Sequence, residues 1–140
     1  MSSDEDLDIL WYSRIGDLDL FFLALEKIPS LINSKDENGN TIAHMAAANG
    51  HIHILKGLLT FGEASSLINS QNFQGNSPLH WAVINKKYEL MNVLIDNGAN
   101  LTIENGFNET PVDVALKLDD TKALSLFEKK VENASNSEYH

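Results

Sequence analysis

One short phrase occurs three times in this chain, and that repetition constrains the fold more than any other property. The segment from Thr41 to Ala46, with His44, aligns with the segment from Ser77 to Ala82, with His80, at a spacing of 36. The same frame returns from Thr110 to Ala115, 33 residues after Ser77. A chain that repeats at this interval builds a row of like units, none of which buries its apolar face alone. Each frame has Asp36, Asn72 or Asn105 five residues before the hydroxyl residue, and Gly39, Gly75 or Asn108 two before it. Such residues make turns and tolerate positive φ. Thr41, Ser77 and Thr110 stand where a helix needs a side-chain cap, and Pro78 and Pro111 follow at the first helical position, where no donor is missed. Downstream, Ile52, Leu55, Leu58 and Leu59 recur at helical spacing, as do Leu90, Val93, Leu94 and Ile95, closed by Gly98. The unit reads as turn, helix, turn, helix.

A period near 33 with that content resembles the ankyrin repeat. The resemblance covers about residues 8–130 and is strongest over 36–50 and 75–82. It implies an all-α ankyrin-repeat solenoid of about four helix-turn-helix repeats with β-turn or hairpin tips. The expected organisation is one domain over 1–130, with repeats at about 7–35, 36–71, 72–104 and 105–130. Gly16 and Asp17 part the helices of the first pair. The second repeat is longer by 3 residues, placed around 61–69, and a frayed polar tail is expected over 131–140. The resemblance further implies that His44 and His80 hydrogen-bond the turns and tie neighbouring repeats. Three departures stand out: Ile42 and Ala43 for Pro and Leu, Lys86 for the glycine between helices, and Asp113 for the third histidine.

Composition narrows the chemistry. The 140 residues are 43% apolar and carry a net charge of −10. An acidic surface of this kind repels phosphate backbones and attracts basic partners, so no direct nucleic-acid contact is expected. There is no cysteine, which removes disulfides, thiol nucleophiles and thiolate metal sites. Met1 is followed by Ser2, Ser3, Asp4, Glu5 and Asp6, so no signal peptide is expected. No apolar run approaches the roughly 20 residues that cross a bilayer. His51 and His53 fall at a helix start, where residues two apart do not share a face, so they are not read as a metal pair. No Gly-x-Ser-x-Gly elbow or phosphate-cradling loop is present. The expectation is a non-enzyme without cofactor or metal, acting as a monomer.

What remains is a recognition surface. The resemblance implies that partners meet the turn tips and the exposed face of the first helices. The candidate tip residues are Asp36, Glu37, Asn38 and Asn40, then Phe73, Gln74 and Asn76, then Phe107 and Glu109. The helix positions are Met45 and Asn49, then Trp81, Ile84 and Asn85. Phe73 and Phe107 at turn tips either anchor a partner or fold back on a neighbouring repeat. Within the family, the stretches 44–52 and 75–82, with Gly16, Asp17, Leu18 and Asp19 in the first repeat, resemble those of a small fungal chaperone of a KH-domain ribosomal protein of the small subunit. That resemblance implies a basic ribosomal protein as partner, held during ribosome biogenesis in cytoplasm and nucleus. A regulatory adaptor or inhibitor of a signalling or transcription protein is the alternative.

Overall fold

The computed structural model describes residues 4–61 and 64–138. Over these residues the chain forms four successive helix pairs: α1 (Asp4–Ile15) with α2 (Leu18–Lys27), α3 (Ile42–Asn49) with α4 (Ile52–Leu58), α5 (Pro78–Ile84) with α6 (Tyr88–Asp96), and α7 (Pro111–Lys117) with α8 (Thr121–Glu138). The first helices α1, α3, α5 and α7 touch in succession, and the second helices α2, α4, α6 and α8 form a parallel row behind them. Short 3-10 helices at Pro29–Asn33 and Ala64–Asn69 lead into the next repeats. The described residues form an all-α solenoid of stacked helix pairs, the architecture that the resemblance implies.

Apolar spacing explains the stacking. Ile54 and Leu58 of α4 join Ile9, Phe21, Leu25 and Ile42 in one cluster toward the N-terminal end. Leu55, the neighbour of Ile54, belongs instead to a second cluster with Leu79, Leu90, Met91 and Phe127. One short helix thus feeds both sides, as a stacked repeat must. Ala46, Ala47, Ala82 and Ala115 are wholly buried, and their small side chains allow the first helices to approach closely.

Each turn between paired helices passes through the left-handed region, at Gly16 (φ 79°), Gly50 (φ 74°), Lys86 (φ 55°) and Asp119 (φ 52°). The last pair is locked by Asp120, whose carboxylate accepts from the Ala123 N–H and from the Tyr88 hydroxyl of α6. The frayed tail expected over 131–140 is corrected in part: α8 runs through Glu138, and residues 139 and 140 lie outside the described residues. The segment 121–138 contains neither glycine nor proline, so no breaker stops the helix once it has started.

Candidate functional site

The tips are built from their first residue inward. Asp36 Oδ1 accepts from the backbone N–H groups of Asn38 and Asn40. Asn72 Oδ1 does the same for Gln74 and Asn76, and Asn105 Oδ1 for Phe107 and Glu109. The asparagine amides left over run between tips: Asn72 Nδ2 donates to Asn40 Oδ1 at 2.8 Å, and Asn105 Nδ2 to Asn76 Oδ1 at 3.0 Å. Backbone bonds reinforce the row, from Phe73 N–H to Asn38 and from Gly106 N–H to Gln74.

His44 and His80 fasten the tips to the helices. The Thr41 N–H donates to His44 Nδ1 at 3.2 Å, so that nitrogen is the acceptor and Nε2 carries the proton. Nε2–H then reaches the Asn76 carbonyl of the next tip at 2.7 Å. Ser77 and His80 repeat the arrangement, with Nε2–H on the Glu109 carbonyl at 2.9 Å. Burial pushes the His44 pKa down to about 4 and lowers that of His80. In the last repeat Asp113 accepts from the Thr110 N–H at 2.9 Å. A carboxylate closes the local cap, and among the described residues no further tip follows for an imidazole to reach. His51 ties the first two repeats through Nε2 and the Arg14 carbonyl, while His53 is exposed.

These ties leave a groove of about 550 Å³ between the tips and the first helices. Asp36, Asn40, Met45, Asn49, Gln74, Asn76, Trp81, Ile84 and Asn85 line it, together with Ala48 and Arg14. A hollow of about 280 Å³ adjoins it at Asn76 and Ile84 and adds Phe107, Glu109, Val114, Lys117 and Leu118. The candidate residues differ in what they offer. Asn40 and Asn76 are buried, and the Oδ1 of each accepts from the asparagine amide of the next tip. Both line the groove, but neither presents an exposed side chain at its tip. The Asp36 carboxylate is likewise engaged by its own turn and by Asn40. Asn49 and Asn85 are exposed and donate to carbonyls one turn back in their own helices. Met45 and Trp81 are half-buried, with the Trp81 ring edge-on to His44 at 6.0 Å. Ile84 is exposed, as are Glu37, Asn38 and Gln74 at the tips, and Glu109 meets Lys117 at 3.5 Å.

Phe73 and Phe107 are each 79% exposed. The Phe73 ring rests over Gly39 so closely that a Cβ there would come within 2.8 Å of it. Both readings of this residue therefore hold in part: one edge leans on the preceding tip and the rest faces solvent.

The first repeat holds residues at equivalent positions that the sequence reading left out, and its Arg14 lines the groove itself. Gly16 and Gly50 are equivalent turns, so Trp11 stands where Met45 and Trp81 stand, and Ile15 where Asn49 and Asn85 stand. Trp11 and Ile15 are exposed, and the Arg14 guanidinium lies 5.8 Å from the Trp11 ring. Aligning the glycines would have found them. The groove thus has Met45, Trp81 and Ile84 as its apolar side chains and Asp36 on its tip side, with Trp11 at the equivalent position in the first repeat and Glu37 and Glu109 at the tips nearby.

The ankyrin-repeat family model matches residues 9–105, in three copies. The chain belongs to the ankyrin-repeat family. It is 38% identical over 120 residues to an ankyrin repeat-containing protein of Schizosaccharomyces pombe, covering 86% of this chain and 82% of that one. Among solved structures it is similar to the chaperone in the crystal structure of yeast ribosomal protein Rps3 in complex with its chaperone Yar1. That match has a TM-score of 0.84 and 30% identity, over 93% of this chain and 95% of the other. Among the described residues, no helix is long and apolar enough to cross a membrane, and no three His, Cys, Asp or Glu side chains gather as a metal set.

Proposed function

We propose that this chain is a non-catalytic escort that holds a basic ribosomal protein, of the kind represented by Rps3, before the ribosome is assembled. The similarity to the Yar1 chaperone over nearly the whole of both chains carries the reading. The surface suits it. Apolar side chains in the groove accept the apolar part of a client segment, the acidic tips accept its lysines and arginines, and the net charge of −10 steers a basic client in. Covering that segment shields it from RNA and from aggregation. Such an escort works in cytoplasm and nucleus, where the client is made and used.

The test is titration of the purified chain with yeast Rps3 at about 0.1 M and about 1 M salt. Binding that weakens at least about tenfold at the higher salt is expected of charge-led capture. Trp81→Ala with Met45→Ala should weaken it further at either salt. Absence of binding would overturn the reading.

One observation favours an adaptor instead, the exposure of Phe73 and Phe107. If these rings are the anchors, Phe73→Ala with Phe107→Ala abolishes binding of the true partner, and salt has little effect.

A further inference from the structure

The N-terminal end of the stack is not closed as an end. The caps Asp17, His51, Lys87 and Asp120 open α2, α4, α6 and α8, and they set equivalent positions. Leu20 of α2 then corresponds to Ile54, Leu90 and Ala123, all of them buried. Ile54 shows what covers that position, since it joins the cluster formed by the preceding repeat, with Phe21 and Leu25. Leu23 corresponds to Gly57, where the ring of Phe22 from the preceding repeat comes closest. Trp11 corresponds to Trp81, whose ring edge meets His44 of the preceding repeat. In the first repeat nothing precedes α1 and α2 among the described residues, and Leu20, Leu23 and Trp11 are 42%, 46% and 53% exposed. A terminal repeat needs a polar outer face, and this one presents leucines at stacking positions.

We propose that this end face, centred on Leu20 and Leu23 with Trp11 beside them, docks a helix of the basic client. The helix lies against α2 as α2 lies against α4. This second contact rests on the escort reading and adds to the groove. The register says that a helix covers the face, because helices cover its equivalents. Charge says whose helix it is. Acidic residues crowd the first helix pair, Asp4, Asp8 and Asp19 among them, against Arg14 and Lys27 as its bases. A second copy brought face to face would set these carboxylates against one another, whereas a helix with apolar residues flanked by lysine or arginine complements them.

Leu20→Ser with Leu23→Ser should leave the melting temperature nearly unchanged and weaken yeast Rps3 binding about tenfold. The chain has no cysteine, so Leu23→Cys takes a single environment-sensitive dye. Saturating Rps3 should shift its emission to the blue, while the same dye on Glu89→Cys, at the exposed side of α6, stays put. An unshifted dye at position 23 with Rps3 bound overturns this proposal alone. Failure of the unmodified chain to bind Rps3 overturns the escort reading and this contact with it. Sedimentation showing a dimer that Leu20→Ser with Leu23→Ser dissolves makes a second copy the occupant, and overturns it too.

Discussion

Lys86 adopts φ 55° in the turn between α5 and α6, where a Cβ crowds the neighbouring carbonyl and only glycine is free of cost. The equivalent turns before α2 and α4 use Gly16 and Gly50. Lys86→Gly should raise stability by about 0.5–1 kcal/mol, the strain relieved less the entropy that glycine adds to the unfolded chain. Urea unfolding measures it, and an unchanged or lower midpoint would mean that the Lys86 side chain supplies an offsetting contact. This departure was visible in the sequence because the repeat frame marks the place. So were His44 and His80, and so was the substitution by Asp113. The fate of Asn40 and Asn76 was not. Their partners, Asn72 and Asn105, lie 32 and 29 residues away, and only the stacking of one tip on the next brings the amides together. A turn-forming asparagine with an exposed side chain and one with a buried side chain look alike in sequence.

The helix pairs themselves were legible, because the caps at Thr41, Ser77 and Thr110, the prolines at Pro78 and Pro111 and the apolar spacing point the same way. The lengthened second repeat was located, but its use was not. Its extra residues fall around a 3-10 helix at Ala64–Asn69, and Phe61 ahead of it stacks on Phe22 of α2 with ring centroids 6.1 Å apart. That stacked pair stands against α4 at Gly57, where a Cβ would fall 2.0 Å from Phe22 Cζ. Helix propensity favours Gly57→Ala by about 1 kcal/mol. The collision outweighs it, because Phe22 is half-buried and clears the new methyl only by disturbing its contacts with Phe21, edge-on at 4.9 Å, and Phe61, stacked at 6.1 Å. Gly57→Ala should therefore destabilise by about 1–3 kcal/mol, the usual cost of overpacking. Adding Phe22→Leu should recover part of the loss, and a double-mutant cycle by chemical denaturation measures the coupling. Additive effects would show that α2 and α4 do not meet there.

Across the whole molecule, stability depends on ties that each span one repeat, and two of them, at His44 and His80, are imidazoles held neutral by burial. His51 reaches back to Arg14, His44 forward to the tip at Asn76, and His80 forward to Glu109. In the fold His44 meets a donor at Nδ1 and sits in a buried site that pushes its pKa down to about 4, against an ordinary value of 6.5. The unfolded chain therefore takes up a proton on this residue as the pH falls below about 6.5, while the folded chain refuses it until about 4. Stability is complete above the upper value and is lost over the interval between the two, at about 1.4 kcal/mol per pH unit for one residue. His80 is lowered in the same direction and adds to the loss. Between pH 7 and pH 5, His44 alone should remove about 2 kcal/mol. Chemical denaturation at the two pH values checks this, and in His44→Ala the dependence should shrink by about that amount. Equal pH dependence in the variant and the unmodified chain would show that the imidazole is not held neutral, and that the tip at Asn76 is fastened by the tip amides rather than by His44.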